Sequence, residues 1–206
     1  MAYSVEIIRK DEQSTSTWSG GTTTQLAIYP KTSDYKARNF MWRLSSARVD
    51  ADESTFTSMP EIWRHIMIID GEMRLLHEGH HSVLLRPFEQ DSFSGGWATK
   101  SIGRARDFNL MLGQGCKGEL EAMFIGKEMK METAARPAAI DFANRTDGFY
   151  CPTGSINVVI NEGKTYILNE GDLMLLNSLQ ADERADITFR NIGQKTAAII
   201  KAGISY

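Results

Sequence analysis

The chain has 206 residues, 42% of them hydrophobic and 24% charged, and 23 basic against 26 acidic side chains leave a net charge of −3. That length buries a sizeable core without disulfides, and the composition excludes a disordered chain. Cys116 and Cys151 are too few for a disulfide-stapled scaffold and read as free, buried thiols.

With no basic excess or stripe, no nucleic-acid partner is expected. MAYSVEIIRK at 1–10 holds no signal-peptide core, and no run approaches the ~20 apolar residues of a membrane span. The expected location is therefore the cytoplasm, with no membrane partner. In chain order, Gly20-Gly21 reads as a bulge, after which Thr23 and Gln25 share one strand face. Trp42 to Val49 is predicted as a strand whose alternation sets Arg43, Ser45, Ala47 and Val49 on one side. Small residues beside one Arg leave room on that side, and a guanidinium is a fixed fork for a carboxylate.

From His65 the strand grammar is clearest. HIMII (65–69) is a strand, Asp70-Gly71 a hairpin turn, MRLLH (73–77) the return strand and Glu78-Gly79 a second turn. SVLLR (82–86) follows, and Pro87 ends it. Asp107, Asn109 and Met111 alternate with Phe108, Leu110 and Leu112, so the polar set faces solvent or a lumen. GKEMKMETAARPA (126–138) carries helix formers and is predicted as a connector with one short helix, closed by Pro137. INVVINEGKTYILNEGDLMLLN (156–177) then repeats strand, turn, strand, turn, strand, and ITFRN (187–191) and AAIIKAG (197–203) complete the set.

Turn signals at roughly 8–12-residue spacing indicate an all-β fold with few short helices. LLHEG (75–79) matches VINEG (159–163), SVLL (82–85) matches YILN (166–169), and Gln90-Asp91 matches Gly171-Asp172. Such a repeat predicts two similar β lobes, 1–125 and 126–206, packed as one unit with the N-terminal strands open to sharing.

The strand–turn–strand grammar looks like the cupin jelly roll. Four ordered motifs make the resemblance more specific. TWSGGTTTQLAIYP (17–30) resembles the W-x-G-G-x-T-x-[E/Q]-L opening of the HutD/Ves family, and FMWRLSSARV (40–49) its F-x-W-R-x-S-x-A-x-V stretch. WRHIMIIDG (63–71) fits its R-x-x-x-x-[LI]-x-G strand, and RDFNLML (106–112) its D-x-N-x-M strand. Just beyond, Leu112-Gly113-Gln114 departs from an Arg-rich continuation. The resemblance implies a bicupin, two jelly-roll lobes in one chain, from a bacterial cytoplasm, with a regulatory or stress-related role and an association with histidine utilisation or stress response.

Metal-binding cupins carry G-x5-H-x-H, which aims two imidazoles from alternate strand positions. Gly71 and His77 keep the first spacing, but Gly79 stands where the second His belongs, and the second lobe has no His. His80 and His81 fall in the turn. The histidines therefore read as solvated rim side chains, with His77 and His65 the remaining metal candidates, and no metal or cofactor is expected.

The leading expectation is a metal-free bicupin that binds a small organic acid. Arg43 is its anion anchor, with Ser45, Arg64, Gln25 and Asn109 orienting the ligand and Thr23, Asp107 and Trp18 completing the set. The resemblance implies a formylated or histidine-degradation metabolite. An acid–base pair such as Asp107 and His65 would instead make a hydrolase or isomerase, and lobe faces forming a homodimer would make a structural protein. G-x-S-x-G, C-x-x-C and H-E-x-x-H are all absent from the sequence.

Overall fold

The computed structural model describes residues 3–135, 141–178 and 185–206. The chain divides into two units, Gln13–Cys116 and Met1–Glu12 with Lys117–Tyr206. The N-terminal segment supplies β1 (Tyr3–Ile8) and a single 3-10 turn at Lys10–Glu12. Next come β2 (Ser14–Trp18), β3 (Gly21–Tyr29), β4 (Trp42–Val49), β5 (Glu53–Thr55), β6 (Trp63–Gly71), β7 (Met73–His77), β8 (Ser82–Leu85), β9 (Gln90–Ser94), β10 (Thr99–Ile102) and β11 (Ala105–Leu112). The remainder forms β12 (Lys117–Ile125), β13 (Lys130–Ala135), β14 (Arg145–Thr153), β15 (Ser155–Ile160), β16 (Thr165–Asn169), β17 (Leu173–Ser178), β18 (Ala185–Asn191) and β19 (Ala197–Ser205). Among the described residues no helix is long and apolar enough to cross a membrane.

Each unit holds two antiparallel sheets. In the first they run β2-β3-β4-β11-β6-β9 and β5-β10-β7-β8. In the second they run β1-β17-β14-β19-β12 and β13-β18-β15-β16. Setting aside β1, β2 and β3, the eight strands β4–β11 and the eight strands β12–β19 have the same spatial order, one for one. Eight strands in two such sheets are a jelly roll, so the repeat read from the sequence is a repeat of folds. The unit division falls after Cys116 rather than after residue 125. A cut at 125/126 would separate β12 from β19, its partner from Lys117–Ser205 to Ile125–Ala197.

Three expectations change at the level of strands. Asp70-Gly71 is not a hairpin, because β6 pairs with β11 and β9 while β7 pairs with β10 and β8. The chain crosses there from one sheet to the other. Gly71 permits the corner, since its φ is +79° and a Cβ would meet the Arg104 carbonyl oxygen. The connector helix is replaced over 130–135 by β13, an edge strand on β18, so sheet pairing overrides local helix propensity. Residues 136–138 of that segment lie outside the described residues.

The third change is one of register. Gly71 and Gly154, both at positive φ, stand at equivalent corners. From them Met73, Leu75 and His77 fall on Ile156, Val158 and Ile160, and all six are buried. The match of LLHEG to VINEG is thus displaced by one residue, which would set opposite faces together. Gln90-Asp91 is displaced further. The counterpart of Asp172, which accepts from Asn169 N at 3.0 Å, is Glu89, which accepts from Arg86 N at 2.8 Å.

Inward alternation builds a separate core in each unit, around Ile66, Leu75 and Phe93 in one and Phe149, Val158 and Phe189 in the other. Met73→Ala and Ile156→Ala remove equivalent, fully buried side chains. Each is expected to lower unfolding free energy by about 2–5 kcal/mol in urea titrations. A change below the noise at either position would mean that this corner does not carry the core.

Candidate functional site

Strand pairing assembles one polar face inside the first unit. β11 lies between β4 and β6, with Met111 opposite both Arg43 and Arg64. Two residues along, Ser45 is opposite both Asn109 and Gln25. One further step brings Ala47 opposite Asp107. Because the pleat has a period of two, these side chains turn to the same side. A cavity of about 280 Å³ opens over them, walled by Trp18, Thr23, Tyr35 and Phe56.

Arg43 is buried and held from two sides. Its Nε donates to Gln25 Oε1 at 2.9 Å, its Nη1 donates to Ser45 Oγ at 3.1 Å, and its Cζ sits 4.2 Å from the Tyr35 ring centroid. Arg64 lies over Phe56, with Cζ 4.6 Å from the ring centroid, and its Nε is buried with no hydrogen-bond partner. Asn109 Oδ1 is likewise buried without a partner. Among the described residues no carboxylate comes within ion-pair distance of either guanidinium. Asp107, which accepts from Ala47 N at 3.3 Å, is the acid of the cavity lining.

Burial is the largest cause of the pKa shift in all three groups. It lowers the pKa of Arg43, against the pull of Tyr35. It lowers Arg64 to about 10, with Asp107 opposing the shift and Arg43 adding to it, so this side chain is still a cation at neutral pH. It pushes the Asp107 carboxyl up to about 6, against the Ala47 N–H and Arg64. The face thus holds two cations and one carboxyl whose negative charge is disfavoured. The second unit resolves the same problem internally. Its buried Arg145 donates to Asp147 at 2.9 and 3.3 Å, and Asp147 occupies the position equivalent to Arg64.

Of the residues singled out from the sequence, Arg43, Ser45, Arg64, Thr23, Asn109, Asp107 and Trp18 all line this cavity. Gln25 is not in the lining and acts from behind, on Arg43 Nε. Trp18 Nε1 donates to Thr23 Oγ1 at 3.2 Å, which ties two wall residues together. Tyr35, Phe56 and Met111 were not among them. Met111 shares the alternation of Asp107 and Asn109 and was legible from it, whereas Tyr35 and Phe56 lie outside the strands, where no periodicity marks them. His65 does not join Asp107. It is absent from the lining, and its Nδ1 shares a 2.7 Å hydrogen bond with Ser92 Oγ.

The solvated-rim expectation holds for His80 and His81 but not for His77, which is 3% exposed because its ring packs on Phe93, 4.4 Å away between centroids. Both cysteines are free, but only Cys151 is buried as expected, while Cys116 is half-buried in the turn before β12. Burial pushes the Cys151 thiol up to about 12, which leaves it inert as a nucleophile.

Residues 10–197 match the HutD family model, while no curated protein matches the sequence. Among solved structures, a conserved protein of unknown function from Pseudomonas aeruginosa PAO1 is similar with a TM-score of 0.81 at 18% identity, over 98% of this chain and 100% of that one. HutD from Pseudomonas fluorescens SBW25, in a formate condition, gives 0.69 at 18% identity over 97% and 98% of the two chains. Oxalate decarboxylase from Bacillus subtilis gives 0.68 at 8% identity over 95% of this chain and 76% of that one. At these identities the structural likenesses show a shared fold, and the family model spans most of the sequence. The protein therefore belongs to the HutD family and has the cupin fold.

Proposed function

We propose that the first unit binds a small carboxylate in the arginine-lined cavity and holds it without converting it. The observation that carries this reading is the pair of buried guanidiniums, Arg43 and Arg64, neither of which meets a carboxylate at ion-pair distance. A buried, unpaired guanidinium is costly by several kcal/mol, and a ligand anion offsets that cost. Arg43 takes the carboxylate, Arg64 a second acidic or carbonyl oxygen, and Asn109 an adjoining polar group. The volume suits a metabolite of amino-acid size. Two guanidiniums also make the cavity hostile to a divalent cation, so binding here is metal-free.

A formylated amino acid or another acid of histidine breakdown is the favoured ligand, on family membership and on the formate condition of the Pseudomonas fluorescens relative. Asp107 has no imidazole beside it in the cavity, which favours binding over acid–base turnover. A cytoplasmic protein that senses such an acid and limits flux through its pathway fits this chemistry.

Arg43→Met keeps the volume and removes the charge. It is expected to fold normally and to lose about 2–5 kcal/mol of binding to formate or N-formylglutamate by calorimetry. Unchanged affinity would reject the reading. The pH dependence follows from Asp107. Above about 6 its carboxyl ionises and opposes a bound anion, so affinity rises as pH falls from 8 through 6. Asp107→Asn should flatten that profile. The same shift acts on stability. A carboxyl with a folded value above its unfolded ~3.9 favours the native state less as pH climbs from about 4 to 6.

A further inference from the structure

A second polar group lies outside this cavity, and the other unit shows that the fold does not require it. Thr99 pairs with His77 across β10 and β7, as Ile187 pairs with Ile160 across β18 and β15. Asp91 pairs with Ile66 across β9 and β6, as Met174 pairs with Phe149 across β17 and β14. His77, Thr99 and Asp91 therefore stand where the second unit has Ile160, Ile187 and Met174, three buried members of one core cluster. Aliphatic filling closes this corner in one jelly roll, and polar groups occupy it in the other.

Hydrogen bonding orients the polar set. His77 Nδ1 lies 2.8 Å from Thr99 Oγ1, and that hydroxyl donates to the Trp97 carbonyl at 3.3 Å. When that hydroxyl gives its proton to the carbonyl, it accepts from His77 Nδ1–H and leaves Nε2 available as a ligand. His77 Nε2 faces Asp91 Oδ2 at 2.9 Å, and His81 Nε2 approaches the same oxygen at 3.0 Å. Without an ion each of these contacts is an imidazole N–H···carboxylate hydrogen bond, and a metal ion that displaces those protons turns the same three atoms into its ligands.

We propose that His77 Nε2, His81 Nε2 and the Asp91 carboxylate form a binding site for a divalent first-row transition ion, with zinc the favoured occupant. The three ligand atoms lie within 4.8 Å of one another. Tetrahedral zinc with bonds of ~2.0–2.1 Å sets its ligands about 3.3 Å apart, a small adjustment from the spacing present. Two imidazoles and a carboxylate suit zinc, copper, nickel or iron. The bond from His77 Nδ1 to Thr99 is the outer contact that fixes a ligating imidazole in its tautomer. Trp97 braces the turn, stacked on His80 at 3.7 Å and edge-on to His77 at 5.7 Å. The His81 side chain is 41% exposed, which gives an ion a path from solvent and leaves a fourth position for water. None of the three ligands lines the arginine cavity.

The test is a zinc titration of tag-free, chelator-stripped protein by calorimetry, with cobalt absorption in the visible as a report on geometry. One equivalent should bind with micromolar or tighter affinity, and cobalt should give tetrahedral bands. His81→Ala, at the surface, and Asp91→Asn should each weaken zinc at least tenfold. Thr99→Val should weaken it by about 10–100-fold, while His80→Ala, next in sequence but not a ligand, should leave it unchanged. Zinc binding weaker than millimolar, or unaffected by His81→Ala, would overturn the proposal. So would a His80→Ala variant that loses binding as fully as His81→Ala.

Discussion

Arg43 and Arg64 stand in one row across β4, β11 and β6 with Met111 between them, so a single pleat turns both guanidiniums inward. Like charges in a region of low dielectric repel, and each has shed most of its water. The surroundings answer with neutral partners. Gln25 and Ser45 accept from Arg43, and the faces of Tyr35 and Phe56 lie under the two cations. Such ring contacts are worth about 0.5–2 kcal/mol each, less than a buried ion pair would supply. The wall therefore tolerates the charges without cancelling them, and the raised Asp107 pKa belongs to the same balance, since burial there outweighs attraction to Arg64.

The two jelly rolls act as internal controls for each other. Position for position, Arg64 corresponds to Asp147, and His77 to Ile160. The unit with Asp147 closes its arginine into an ion pair and fills its corner with aliphatic groups. The unit with Arg64 and His77 keeps its charges uncommitted. One backbone plan supports both outcomes, which separates what the fold demands from what chemistry has been added to it.

Much of the chemistry was legible because it rides on period-two alternation. Arg43, Ser45 and Ala47 fall on one side of β4, and Asp107 and Asn109 on one side of β11, by alternation alone, and the pairing of the two strands joins them into one face. What alternation does not encode was not legible. Asp-Gly reads as a hairpin whether the chain doubles back or crosses to the opposite sheet, and only pairing with β10 and β11 distinguishes the two. Aligning the repeats on their shared Glu-Gly pairs misplaced the register by one residue, because the two turns are equally long in the pairing but Glu162-Gly163 sits one position later in its turn than Glu78-Gly79 does. The surroundings of His77 were hidden for a related reason. Its partners Asp91 and Thr99 lie 14 and 22 positions away in sequence, and no local pattern joins them.

β1 belongs to the second unit and pairs with β17, and the adjoining Arg9 meets Asp172 across 163 positions. Everything the first unit needs lies between those partners. On a ribosome, where the chain emerges from its N-terminus, the first jelly roll has all its strands and can close while β1 is still single. β1 is thus made before every strand of the first unit yet paired after them, and until β17 appears it presents open backbone donors and acceptors. Closing so long a loop is slow relative to local pairing. The waiting segment alternates Ser4 and Glu6 with Tyr3, Val5 and Ile7, and those two polar side chains are its guard against premature association during synthesis.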